Sequence, residues 1–261
     1  MASIISTRPV VLVTGAARRV GRAIALDLAA HGFDIALHFR HSRDEAEATA
    51  AEVRACGARA QCFEAELSDE AACRALVPTV AKAMSRVDAV VNNASHFQYD
   101  SVATFSHGAM EAHWRANTAP AVLLAQALAS HLKGCSEVGC VVNLLDQKLW
   151  NPNPDYFSYT LSKAALEAAT TLLAQALAPQ VRVVGVAPGV TLVSGTAMDD
   201  DSFKQAHQMT PLGRSSTPDD VARTVRFAIE SPAITGTTIL VDGGQHLLAQ
   251  ARDVAFLTSK K

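Results

Sequence analysis

The chain of 261 residues carries no surplus of either charge: 23 Lys and Arg stand against 25 Asp and Glu, a formal net charge of −2. The basic footprint that nucleic-acid binding needs is missing, so nucleic acid is not expected as a partner. Long apolar runs are also lacking. No stretch approaches the roughly 20 apolar residues of a membrane span, and the opening MASIISTRPVVLV has too short an apolar run for a signal peptide. A cytoplasmic chain, neither exported nor anchored, is expected. Cysteine is sparse: Cys56, Cys62, Cys73, Cys135 and Cys140 are odd in number and never form a C-x-x-C pair. That argues against a disulfide framework or zinc site and leaves buried or incidental thiols. The nine histidines include no H-x-x-x-H pair, and the run Asp199-Asp200-Asp201 lacks the spaced oxygen ligands of a calcium loop. No metal is expected, and the acidic run reads as a solvated loop.

Repeats, low-complexity tracts and linkers are absent as well, and 49% hydrophobic residues over this length suffice for one compact domain. What the chain does have is a rhythm. Short β-branched runs at 10–13, 34–39, 89–92, 140–145, 181–186 and 237–241 alternate with Ala- and Leu-rich segments. Apolar residues recur at helical spacing over Arg22–His31, Glu45–Cys56, Glu70–Ser85, Met110–Leu132, Tyr159–Ala178 and Pro218–Glu230. The strand-like runs are apolar throughout, as expected when helices cover both faces of a parallel sheet. The expected fold is α/β: a single-domain, Rossmann-type, doubly wound parallel sheet flanked by helices. Two irregular stretches, Gln147–Asp155 and Val190–Arg214, leave carboxyl ends of strands, the edge where open α/β sheets bind ligands. The second is long enough to serve as a mobile cover.

The first strand runs into Thr14-Gly15-Ala16-Ala17-Arg18-Arg19-Val20-Gly21 and then a helix. A tight glycine turn there lets helix N-terminal amides hold a pyrophosphate. Arg18, Arg19 and Arg22 crowd the positive end of that helix, a conflict that an anionic ligand removes. An acidic residue for ribose hydroxyls is usual at the end of the second strand, but this chain reads His38-Phe39-Arg40-His41-Ser42. Donors and positive charge suit a 2′-phosphate, hence NADPH over NADH. Farther on, Tyr159 and Lys163 are four residues apart at the start of a helical segment, so phenol and ammonium share a face. A neighbouring ammonium stabilises a phenolate and makes it useful near neutral pH.

The glycine turn, Asn92-Asn93-Ala94-Ser95, Asn117, Tyr159 with Lys163, Pro188-Gly189 and Val241-Asp242-Gly243-Gly244 together resemble the short-chain dehydrogenase/reductase family over nearly the whole length. Two departures from its ordinary pattern are informative: Arg19 stands where the turn has its central glycine, and Asp146 where the catalytic serine lies. Both look like the pteridine reductases, as do the thirteen-residue step from Asp146 to Tyr159 and the Asn-Asn-Ala-Ser stretch followed by Phe97. The resemblance implies Tyr159 as general acid, Lys163 as its partner on the nicotinamide ribose, Asn117 as holder of a relay water and Asp146 as second proton carrier. A pterin would stack on Phe97, with Ser95 and Arg19 at its polar edge. The implied cofactor wall comprises Gly15, Arg18, Arg19, Val20, Gly21, His38, Arg40, His41, Ser42, Glu66, Leu67, Asn93, Ala94, Ser95, Tyr159, Lys163, Pro188, Gly189, Val190 and Thr191. A homotetramer is implied too, with Met110–Leu132, Tyr159–Ala178 and Leu247–Lys261 as interface elements. Reduction of a dihydropterin leads; a general carbonyl or 3-oxoacyl reductase and a non-catalytic NADPH-binding sensor are the alternatives.

Overall fold

The computed structural model describes residues 8–193 and 199–258. Residues 1–7, most of the opening segment, lie outside the described residues, as do Ser194–Met198 of the expected cover and Ser259–Lys261 of the expected interface.

Seven parallel strands form one sheet in the order β3-β2-β1-β4-β5-β6-β7. They are β1 (Val10–Val13), β2 (Asp34–Phe39), β3 (Ala60–Glu64), β4 (Ala89–Asn92), β5 (Gly139–Leu144), β6 (Val181–Pro188) and β7 (Thr238–Val241). The helices are α1 (Arg19–Ala30), α2 (Arg43–Ala55), α3 (Glu70–Met84), α4 (His107–His113), α5 (Ala119–His131), α6 (Phe157–Leu177), α7 (Asp200–Gln208), α8 (Pro218–Glu230) and α9 (Val254–Leu257). Within β1, Val11 and Val13 enter a core under α1 and α8, while Val10 and Leu12 enter a core under α3 and α5. Side chains of a strand alternate between faces, so a strand buried on both must be apolar at every position. The chain order reverses between β1 and β4, and the cleft at their carboxyl ends is where the turn after β1 meets the segment after β4.

Three expectations change. A seventh strand, β3, escaped the pattern because this edge strand reads Ala-Gln-Cys-Phe-Glu and only Phe63 in it is buried. The helix read from Met110 to Leu132 starts at His107 and passes through a π-helical turn at Trp114–Thr118, so α4 and α5 flank one wide turn that carries Asn117. The stretch from Val190 to Arg214 includes α7, and Asp199-Asp200-Asp201 is the start of that helix: the Asp199 carboxylate accepts from the Ser202 amide at 2.7 Å. Acidic residues at a helix N-terminus offset its unpaired amides and positive dipole end. Among the described residues no helix is long and apolar enough to cross a membrane.

Candidate active site

The turn after β1 is closed by contacts that leave no space. Gly15 has φ +62°, and a Cβ on Gly21 would run into the Gly15 carbonyl and lie 2.6 Å from Asn93 Nδ2. Asn93 braces the turn, donating through Nδ2 to Thr14 O at 2.8 Å and Gly15 O at 3.2 Å, while the Asn93 and Ala94 amides donate to Thr14 Oγ1. Arg19 adopts φ +56°, in the left-handed region that favours glycine. A left-handed non-glycine residue costs roughly 1–2 kcal/mol, and such strain marks functional positions. Its guanidinium donates to Val193 O at 2.7 Å, spanning the mouth of the cleft to the segment after β6. Arg19→Gly is expected to match or exceed the wild type in thermal stability while binding the anionic cofactor more weakly; melting curves beside cofactor titration check this.

A groove of about 470 Å³ runs along this turn. Its walls include Gly15, Arg18, Arg19, Val20 and Gly21 from the turn, His38 and Arg40 to Ser42 from the end of β2, Glu66 and Leu67 after β3, and Asn93 to Ser95 after β4. Arg22 points away from it and pairs with Glu52. His38 performs a different task from the one its neighbours suggested. It is buried, its Nδ1 accepts from the Gly15 amide at 3.1 Å, and its Nε2 lies 3.1 Å from Ala65 O. Burial lowers its pKa against the opposing pull of the Ala65 carbonyl and Glu66, so the ring is a neutral pin between the glycine turn and β3. A histidine whose folded pKa is depressed contributes stability above its unfolded value, near 6.5, and that stability is lost as the pH falls toward the folded value. His38→Ala leaves a half-buried amide and carbonyl without this partner, and is expected to cost about 1–3 kcal/mol. Urea unfolding at two pH values tests both statements.

Glu66 accepts from the amide and hydroxyl of Ser68, at 3.0 and 2.8 Å, and pairs with Arg40 at 3.5 Å. Burial would raise its carboxyl, but the Ser68 bonds and the charges of Arg40 and His41 prevail and hold it low. It is the acid beside an otherwise cationic end of the groove.

The groove continues into a cavity of about 300 Å³ over the carboxyl ends of β5 and β6. Phe97, Asp146, Tyr159, Lys163 and the stretch from Pro188 to Thr191 line it, with Arg19 and Ser95 shared between cavity and groove. Asp146 follows β5 and caps a 3₁₀ turn (Gln147–Leu149): its Oδ1 accepts from the Lys148 amide at 2.9 Å, and its Oδ2 accepts from the Tyr159 hydroxyl at 2.9 Å. One carboxyl therefore ends the strand and faces the phenol. Lys163, one turn along α6, donates to Leu144 O at 2.7 Å and sits 5.8 Å from the Tyr159 ring centre.

The proton chemistry differs from the expectation in one respect. Burial, then the charge and hydrogen bond of Asp146, hold the Tyr159 phenol well above its ordinary value. Burial also raises the Asp146 carboxyl and draws the Lys163 ammonium down to about 8. Tyr159 thus keeps its hydroxyl proton at neutral pH. Asn117 is buried, and its side chain is committed to protein: Oδ1 accepts from His96 N at 2.6 Å and Ser95 Oγ at 3.2 Å, while Nδ2 donates to His96 O and Ser162 Oγ, both at 3.0 Å. Its amide ties the wide turn of the helix to the segment after β4 and to α6.

The pattern of the family described as "Enoyl-(Acyl carrier protein) reductase" matches residues 15–246. The chain belongs to the short-chain dehydrogenase/reductase family. Among relatives of this family, 3-oxoacyl-[acyl-carrier-protein] reductase of Synechocystis sp. is 32% identical over 242 residues, covering 91% of this chain and 97% of that one. FolM alternative dihydrofolate reductase 1 from Brucella canis, solved in complex with NADP, is 40% identical with a TM-score of 0.85, over 94% of this chain and 96% of that one. Its Brucella suis counterpart, also with NADP, is 41% identical with a TM-score of 0.84, over 92% and 96%.

This short-chain dehydrogenase/reductase has cavity residues that the sequence motifs did not point to. Phe97 stacks on Tyr156, with ring centres 4.3 Å apart and planes 18° apart, and meets Tyr159 edge-on at 4.7 Å. Tyr156 holds φ +54° to present that face. Gln147, Lys148, Gln245, Gln250 and Asp253 add polar groups to the cavity. The Tyr159 spacing pointed to its own neighbourhood, but nothing in the sequence links Asp253 to residues a hundred positions earlier. Among the described residues, no group of three or more His, Cys, Asp or Glu side chains is arranged to hold a metal ion.

Proposed function

We propose that this protein is an NADPH-dependent pteridine reductase, reducing a dihydropterin such as dihydrobiopterin, dihydromonapterin or dihydrofolate to its tetrahydro form. The observation that carries the reading is the Asp146–Tyr159 hydrogen bond at the floor of the cavity. A carbonyl reductase needs one proton donor, whereas a ring nitrogen reduced beside its carbon is well served by a donor that a second acid can reload.

The groove fits NADPH. The amino terminus of α1, which has no side-chain cap, opens on the groove and offers backbone amides to a pyrophosphate, and Arg18, Arg40, His41 and Ser42 offer donors where a 2′-phosphate would lie. The resemblance to two NADP complexes supports the same choice. When bound, the cofactor supplies the hydride. Lys163, with one of its donors on Leu144 O, has others for the ribose hydroxyls.

Tyr159 donates the proton from its hydroxyl to the substrate nitrogen, and Asp146 returns one through Oδ2. The raised carboxyl widens the pH range over which that return operates, because a buried acid holds its proton longer than an exposed one. Phe97 supplies an aromatic face for a flat ring, and a stacked pair contributes about 0.5–1.5 kcal/mol beyond area burial. Arg19 and Ser95 offer polar groups at the junction of groove and cavity.

A second reading, reduction of a 3-oxoacyl thioester, is favoured by the relative of that description. Arg19 and Asp146 weigh against it, since neither is needed for carbonyl chemistry. Turnover of NADPH with dihydropterins beside a 3-oxoacyl ester separates the two.

A further inference from the structure

Lys148 is 3% exposed, and it sits among groups the reaction scheme does not use. Its Nζ donates to Asp155 O at 2.7 Å and to Asp253 Oδ2 at 3.1 Å. The second bond joins the turn after β5 to the C-terminal segment. Asp155 holds that segment again: Arg252 donates to both its oxygens, at 2.7 and 2.8 Å, and the Asp253 amide donates to Oδ2 at 2.8 Å. Asp253 Oδ1 also accepts from the Ala255 amide at 3.1 Å, starting α9. Tyr99 reaches Asp155 at 3.4 Å, and the Lys148 ammonium lies 5.4 Å from the Tyr156 ring that stacks on Phe97.

We propose that Lys148 and Asp253 are positioning residues of the active site: a half-buried ion pair through which the C-terminal segment holds the Asp146 carboxyl against Tyr159 and sets the charge that it feels. The link to Asp146 is direct, because the amide of Lys148 itself donates to Asp146 Oδ1. Removing the ammonium disturbs both the turn and its charge, whereas removing the Asp253 charge leaves the turn intact. This proposal rests on the proton pathway of Tyr159 and Asp146, but not on the identity of the substrate.

The two partners act on Asp146 with opposite signs. Its carboxyl is raised first by burial; the hydrogen bonds of the Lys148 amide and Tyr159 and the Lys148 charge draw it down, while the Asp253 charge pushes it up. Asp253 also raises Tyr159. The charged and titratable groups around the pair are Asp146 on the 3₁₀ turn, Asp155 and Tyr156 on the following loop, Tyr159 and Lys163 on α6, Tyr99 after β4, and Arg252 beside Asp253.

The test is a carboxyl carbon-13 NMR titration of Asp146 in the NADPH-bound protein, its signal assigned with Asp146→Asn, for wild type, Lys148→Met, Asp253→Asn and the double variant. The midpoint is expected to rise in Lys148→Met, fall in Asp253→Asn, each by about half a pH unit or more, and lie near wild type in the double variant. The alkaline limb of turnover with any substrate the wild type reduces is expected to move the same way. If Lys148→Met fails to fold, Asp253→Asn decides, because asparagine keeps the cap of α9 and removes only charge. An unmoved midpoint in Asp253→Asn, or shifts of one sign in both single variants, overturns the proposal. Absence of pterin turnover in the wild type leaves the carboxyl titration readable, and so counts against the substrate reading alone.

Discussion

Tyr159→Phe is expected to lower turnover by roughly 10²–10⁴-fold, the usual contribution of a positioned general acid, while NADPH affinity stays close to wild type. The phenol has one hydrogen-bond partner, Asp146 Oδ2, and its ring keeps its edge-on contact with Phe97 when the oxygen is removed. Asp146 retains the Lys148 amide on its other oxygen. Leaving the buried Asp146 Oδ2 without this partner costs about 1–3 kcal/mol of stability, less than the roughly 5–15 kcal/mol that holds a domain folded. Steady-state rates and cofactor titration on the same preparation separate the chemical step from binding. Equal losses of turnover and of cofactor affinity would mean that Tyr159 serves the groove and not the reaction.

Asp146→Ser carries the second large effect. Serine can still cap the turn by accepting from the Lys148 amide, but it cannot store a proton. Pterin turnover is expected to fall by about 100-fold, at the lower end of acid–base effects, with little change in stability. The pH profile gives the sign. In the proposed relay the pair delivers protons while Asp146 is protonated, so the wild-type rate is expected to decline as the pH rises through the raised carboxyl value. The variant is expected to lose that limb and run flat across the same range. A variant that keeps both its rate and the limb would show that Asp146 is only a cap.

Much of the fold follows from patterns visible in the chain. Runs such as 10–13 and 35–37 are apolar on both faces, as strands between two helical layers must be, so they stand out against amphipathic helices. β3 is hidden because an edge strand needs only one buried side chain, and Ala-Gln-Cys-Phe-Glu resembles a loop. The wide turn at Asn117 leaves no trace in composition, since a π-turn follows from local register and not from residue type.

The candidate site divides similarly. The Gly15 turn and the Tyr159/Lys163 spacing are local signals, and each lies in the groove or cavity where its motif pointed. His38 reads as a phosphate donor from its basic neighbours, yet strand alternation turns its ring inward, where the Gly15 amide and Ala65 carbonyl claim both nitrogens. Tyr156 and Asp253 depend on tertiary contacts that only the folded chain supplies. The phenol is held above its ordinary value by its burial and by Asp146, which faces the hydroxyl directly.

The most direct test compares kcat/KM of the wild-type protein with NADPH for a dihydropterin and for a 3-oxoacyl ester, measured side by side. A dihydropterin preferred by at least about tenfold, equivalent to roughly 1.4 kcal/mol of differential transition-state binding, is the predicted result. Efficient reduction of the oxoacyl ester with no detectable pterin turnover would contradict the account.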